Sequence, residues 1–208
     1  MTKEEKEVVE RNKELIAKYP WLLPHNRFSD KIADDYDYSY TELDAMPDGW
    51  RKAFGEQMCE EIQKELEKFD YVDKYRILQI KEKFGFLHWY DSGAPIGKLS
   101  DVDETVVVDE WKNQPKSDYK ENYWYYVGMN EEGKYIFEHR KILELCKIPE
   151  IISKYEDISE KTCIICGKPA TKMSVGWISP WCDDCASNNN YEKYVPIEEY
   201  FSKINNDV

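Results

Sequence analysis

Residues 161–186 read KTCIICGKPATKMSVGWISPWCDDCA, in which Cys163 and Cys166 form one C-x2-C pair and Cys182 and Cys185, after fifteen intervening residues, form another. This is the ligand spacing of a structural zinc site. Each pair sets two sulfurs on one face of a tight turn, and two such turns supply the tetrahedral thiolate set that zinc favours. Four protein sulfurs fill the coordination sphere and leave no position for water or substrate, so the Zn2+ expected here is structural. In CIICGKP, Gly167 is available for the positive φ of a knuckle, ATKMSVGWISP can form a hairpin, and CDDCA opens a helix. That order points to a treble clef, with a zinc ribbon as the alternative if the last segment is extended.

Working outward, the strongest periodic signal precedes this module. Trp50, Phe54, Met58, Ile62 and Leu66 recur every four residues with Ala53, Cys59 and Phe69 beside them, which predicts a core helix from Asp48 to about Lys68. Thr2 and Glu5 make a capping-box start for a peripheral helix that stops at Pro20. Tyr75 to Ile80 and FLHWY (86–90) predict a hairpin across KEKFG, and NYWYYVGM (122–129) and KYIFEH (134–139) predict another across NEEG. Asp91 to Lys120 reads as a loop carrying a candidate edge strand at Thr105–Val108. Lys141 to Tyr155 reads as helical with a break or new start at Pro149, and Ala186–Tyr194 and Pro196 to near Ile204 read as two closing helices. The expected fold is therefore α+β: an antiparallel sheet of hairpins packed with helices, plus a small treble-clef or zinc-ribbon module. The expected division is an acidic α+β domain over 1–160 and a C-terminal zinc-binding module over 161–208.

The chain has 29 basic and 42 acidic side chains, a formal charge of −13. Four thiolates and one divalent cation add two further negative charges, bringing the loaded protein to about −15. Residues 161–208 contain five Lys and six Asp or Glu, so nearly all the excess acid lies in the larger part. Such a field opposes binding to phosphate backbones and favours a basic partner. The charged N-terminus and the lack of a long apolar run predict neither a signal peptide nor a membrane span, hence a cytoplasmic protein. Cys59 and Cys146 fall in apolar-periodic segments and are read as buried reduced thiols.

The acid is densest between Asp30 and Asp48, where Asp34, Asp35 and Asp37 interleave with Tyr36, Tyr38 and Tyr40. Carboxylates spaced along an extended segment imitate backbone phosphates, and tyrosines add rigid contact area at low entropy cost, so these six residues are the candidate partner-binding surface. A solvated acidic loop is the plainer reading of the same residues. Lys161, Lys168 and Lys172, with Trp177 and Trp181, outline a modest basic edge that could touch nucleic acid; the same lysines could simply offset thiolate charge. His25, His88 and His139 show no metal-ligand spacing. No phosphate-cradling glycine loop, nucleophile elbow or dinucleotide fingerprint is present, and no catalytic residues are assigned.

IKEKFGFLHWY (80–90), CIICG (163–167), GWISPWCDDC (176–185) and YTELDAMPDGWRKAFG (40–55) resemble a group of phage and prophage proteins of unassigned activity. In that group an IKEKFG-x-L-x-x-Y hairpin precedes a paired-cysteine zinc knuckle and a GWI segment. The resemblance spans roughly residues 10 to 95 and 150 to 186 and leaves 96 to 145 as an insertion. The group often carries Arg where this chain has His88. The resemblance implies a phage origin and the four zinc ligands. By analogy with small acidic phage proteins, the expected function is a non-enzymatic, zinc-stabilised accessory protein. It would bind, and inhibit, a basic host or defence protein such as a nucleic-acid-guided nuclease. A nucleic-acid-binding accessory protein using the zinc module is the alternative, and a metal-dependent nuclease the third.

Overall fold

The computed structural model describes residues 1–26, 31–189 and 193–206. Thr2 and Glu5 close the expected capping box, Glu5 N–H donating to Thr2 Oγ1 at 3.2 Å and Thr2 N–H to Glu5 Oε2 at 2.7 Å, and start α1 (Lys3–Lys18). Its inner face buries Leu15, Ile16 and the polar Asn12.

An α-helix turns through about 100° per residue, so apolar residues spaced by four drift about 40° around it at each step. The backbone takes up part of that drift: α2 (Asp48–Trp50) passes through a π-helical turn, Arg51–Gly55, into α3 (Glu56–Lys68). A π turn closes over five residues rather than four, and Trp50, Phe54, Met58, Ile62 and Leu66 are all buried. Of the residues expected beside them, Cys59 is buried, but Ala53 is exposed and Phe69 half-buried.

The first hairpin pairs β1 (Ile77–Lys83) with β2 (Phe86–Asp91). Its turn is the two residues Phe84 and Gly85, both at positive φ (56° and 85°), as a turn matching strand twist requires. Ile77, Ile80, Leu87 and Trp89 are buried. Tyr75, expected in the strand, lies before it and wholly buried; its hydroxyl donates to Asp91 Oδ2 at 2.6 Å and accepts from Trp89 Nε1 at 3.0 Å.

The chain does not divide at residue 160. One compact unit joins Met1–Gly93 to everything from Ile148 onward, and Ala94–Lys147 forms a unit of its own. The inserted unit is a four-stranded antiparallel sheet built around β6 (Tyr135–Leu145), which pairs with β3 (Gly97–Leu99), β4 (Glu104–Val108) and β5 (Asn122–Met129). Thr105–Val108 is thus an edge strand, as its composition suggests. Lys141–Leu145, expected to be helical, instead continues β6: Ile142, Glu144 and Leu145 pair with Leu99, Lys98 and Gly97. Pairing with a distant strand overrides the helix preference of Lys, Leu and Glu.

The helix begins only at α4 (Ile148–Ser159), with Pro149 in its first turn, where a missing N–H costs nothing. Tyr155 stacks on Phe54 at 5.4 Å and donates to Glu61 Oε1 at 2.8 Å, tying α4 to α3. Along the outer edge of β2, Ser159 Oγ accepts Leu87 N–H at 2.9 Å and Glu156 Oε1 accepts Trp89 N–H at 3.3 Å.

The cysteine-bearing segment follows. β7 (Lys172–Ser174) pairs with β8 (Pro180–Trp181) and with β9 (Tyr194–Pro196) on its other side, α5 (Asp183–Ser187) starts at Cys182, and α6 (Ile197–Asn206) closes the described chain. The helix expected over Ala186–Tyr194 is therefore displaced: α5 ends at Ser187, Tyr194 is in a strand, and the expectation for 190–192 falls outside the described residues. The fold is α+β with antiparallel sheets. Among the described residues no helix is long and apolar enough to cross a membrane.

Candidate functional site

The sulfurs of Cys163, Cys166, Cys182 and Cys185 all lie within 4.8 Å of one another, with Cys166 and Cys182 3.6 Å apart. A tetrahedron with metal–sulfur bonds of about 2.3 Å has edges of about 3.8 Å, so the four can hold one metal ion. Cys163 and Cys182 are buried, Cys166 and Cys185 half-buried. The first knuckle is closed by Cys163 N–H donating to Lys168 O at 2.8 Å and Gly167 N–H donating to Cys163 O at 3.0 Å. The Lys168 N–H faces the Cys166 sulfur and brings its thiol down to about 7, whereas burial pushes Cys182 and Cys185 up. The second pair sits on a helix start, Cys182 being the N-cap of α5. Knuckle, hairpin and helix follow in the order of a treble clef.

This module is not an appendage. Gly49 N–H donates to Ile164 O at 2.9 Å, and Trp50 Nε1 donates to Thr162 O at 2.8 Å. A Cβ on Gly49 would stand 2.1 Å from Cys163 O, and one on Gly167, whose φ is +81°, 2.6 Å from Gly49 O. The knuckle backbone and the start of α2 are in direct contact, with no room for a side chain between them.

The basic edge is largely neutralised within the module. Lys168 pairs with Asp184 at 2.8 Å and Lys172 with Asp183 at 3.0 Å, both partners lying in the first turn of α5. Trp181 packs edge-on against Tyr194, while Trp177 is 70% exposed and donates from Nε1 to Glu82 Oε2 at 3.0 Å. Each histidine has local partners: His25 Nδ1 at Leu23 O, His88 stacked with Tyr90, and His139 between Asn122 and Asp103 against the Trp124 ring. Cys59 and Cys146 are buried, and burial pushes the Cys59 thiol up.

Of the six acidic-loop residues, Asp34, Asp35, Asp37 and Tyr40 are exposed and Tyr36 and Tyr38 half-buried. Asp30, where the acidic stretch was expected to begin, lies outside the described residues. The loop has a defined shape: the Tyr36 and Tyr38 rings are 5.0 Å apart, Tyr36 Oη donates to Tyr40 O, and Tyr38 takes φ of 65° while its carbonyl accepts from the buried Asn12 Nδ2 at 2.9 Å. Ser39, through its side chain and its N–H, holds the Asp37 carboxyl below its usual range. A cavity of 680 Å³ lies beside it, lined by Glu4, Glu5, Val8 and Val9 of α1 and by Asp37 and Ser39.

Sequence reasoning missed a second polar cluster, around Asp44. Burial alone would raise its carboxyl, but the Thr41 N–H and the guanidiniums of Arg51 and Arg11 outweigh that and hold it below the usual range. Thr41 and Asp44 also form a capping box, the one local signal that marked this carboxylate as structurally committed. Comparison of the chain with protein-family models, with curated proteins and with solved structures finds no match.

Proposed function

We propose that the chain is a non-enzymatic binding protein, stapled by a structural zinc ion, that presents an acidic, tyrosine-bearing surface to a basic protein. Zinc is the metal that a closed set of four thiolates favours, and it would act by fixing the knuckle against α2 rather than by chemistry. The observation that carries the binding reading is the surface formed by α1 and the Asp34–Tyr40 loop. Asp34, Asp35 and Asp37 form no salt bridge among the described residues, and the adjoining cavity combines Glu4 and Glu5 with Val8 and Val9. Carboxylates around an apolar patch suit a segment that offers lysine or arginine beside a small hydrophobic anchor. The sequence resemblance supports placing such a protein among phage or prophage accessory factors, acting in the host cytoplasm. Its basic partner is then a host or defence protein, such as a nucleic-acid-guided nuclease, which it inhibits.

The test is a pull-down from a prophage-bearing host, run in parallel with the wild type and with Asp34, Asp35 and Asp37 all changed to Lys. A basic protein captured by the wild type, released by added salt and lost with the triple variant is the expected result. Capture of the same proteins by both baits, or of proteins that are not basic, would sink the reading.

A further inference from the structure

Beyond the acidic surface, the chain holds a concentrated positive site. Asp44 is saturated. Its Oδ1 accepts from Arg11 Nη2 at 2.7 Å and from Arg51 Nη1, and its Oδ2 accepts from Thr41 N–H at 2.7 Å, Thr41 Oγ1 at 3.0 Å and Asn12 Nδ2 at 3.2 Å. Two guanidiniums therefore share the Asp44 carboxylate, and Asp48 is the other acid that acts on Arg11. The second arm of Arg51, Nη2, is buried with no hydrogen-bond partner among the described residues, although the whole side chain is only 16% exposed. Leaving a charged donor unmet is costly, so an orphan of this kind asks for an acceptor.

Space for one is at hand. Arg11, Arg51, Lys52 and Gln57 line a cavity of 390 Å³, within the range of small-ligand pockets. Asp48 and Glu56 also line it, but Glu56 is committed to Lys18 at 2.8 Å. The wall is the π-helical turn Arg51–Gly55, a distortion that recurs at functional sites. Burial and the neighbouring Arg51 push the Arg11 guanidinium down from its ordinary value, outweighing Asp44 and Asp48, which act the other way. In a chain of charge −13, two of its five arginines converge on this cavity.

We propose that this cavity is a phosphate-binding pocket in which Arg51 is the principal donor and Arg11 and Lys52 supply further charge. A phosphate, with several oxygens and up to two charges, can use the buried guanidinium arm, once the Arg51 side chain turns it toward the cavity, together with the lysine; a carboxylate satisfies less of the site. The phosphate could be free or the phosphoryl end of a nucleotide.

Isothermal titration of the full-length, metal-loaded protein with inorganic phosphate, adenosine 5′-monophosphate and acetate tests the assignment. Phosphate and the nucleotide are expected to bind, with acetate weaker by at least about tenfold. Arg51→Lys keeps a charge opposite Asp44 but lacks Nη2. Lys52→Glu changes an exposed wall residue outside the packed core. Each is expected to weaken phosphate binding by at least about tenfold, and Lys52→Glu covers the case in which Arg51→Lys fails to fold. A nucleotide bound more tightly than phosphate assigns a nucleotide ligand, and equal affinities assign phosphate alone; both support the pocket. Absence of binding at about 1 mM of either phosphate probe, acetate binding as tightly as phosphate, or affinities that both variants leave unchanged would overturn it.

Discussion

The two compact units are stabilised by different means. Met1–Gly93 with the segment from Ile148 onward packs helices against a hairpin and against the cysteine module, and Trp21, Trp50, Tyr75, Leu87, Tyr155 and Met173 are fully buried in it. Ala94–Lys147 is one sheet with no α-helix among its described residues, and its fully covered side chains are essentially Phe137, His139 and Cys146. Val107, Val127, Met129 and Leu143 are each half exposed or more, at 50%, 50%, 58% and 59%. In place of a second layer it relies on aromatic clustering: Trp111, in a 3-10 turn (Trp111–Asn113) after β4, meets Tyr126, Tyr135 and Phe137 at 5.4 to 5.5 Å, and Tyr126 and Phe137 are themselves a cross-strand pair. Layered burial makes unfolding of the first unit a cooperative event, whereas a single sheet can open at its edges, so the two are expected to differ in local stability.

Metal removal is the strongest way to break that comparison. Chelation, or Cys182→Ser, should remove on the order of 10 kcal/mol from the module and expose the start of α2, since the knuckle and Gly49 are in backbone contact. Amide exchange should then rise across Asp48–Trp50 and Thr162–Cys185 while β5 and β6 stay protected; loss of protection in β6 as well would show that the sheet depends on the metal. Next in size, Trp50→Ala empties a wholly buried site and orphans Thr162 O, and should cost about 3–5 kcal/mol in denaturant melts, confined to the same unit. Smallest is Trp111→Ala. It is 47% exposed, so about 1–2 kcal/mol is expected, read as faster exchange in β4 and β6 with unchanged exchange in α3. An equal effect on both units would erase the distinction.

The same contrast explains what could be read from the chain. The period of Trp50 to Leu66 and the spacing of the four cysteines are local signals, and the structure buries the first and gathers the second. Lys141–Leu145 misled because its residues favour helix; strand pairing overrides that, Lys141 with Asn122, and Ile142, Glu144 and Leu145 with Gly97–Leu99 more than forty positions earlier. Arg11, Asp44 and Arg51 carry no motif that joins them: the contact between Arg11 and Asp44 spans 33 positions. The Gly49–Gly167 approach was equally silent, because each glycine alone reads as a turn or a cap.

The interruption of one unit by the other also orders events during synthesis. Ala94–Lys147 is continuous, so all its strands are available once residue 147 has left the ribosome. The start of α2 cannot meet its partner until Cys163–Cys185 have emerged, more than a hundred residues after Gly49. At a synthesis rate of about 5–20 residues per second, the long helix waits at least about five seconds with its docking face uncovered, and the inserted sheet can form in that interval.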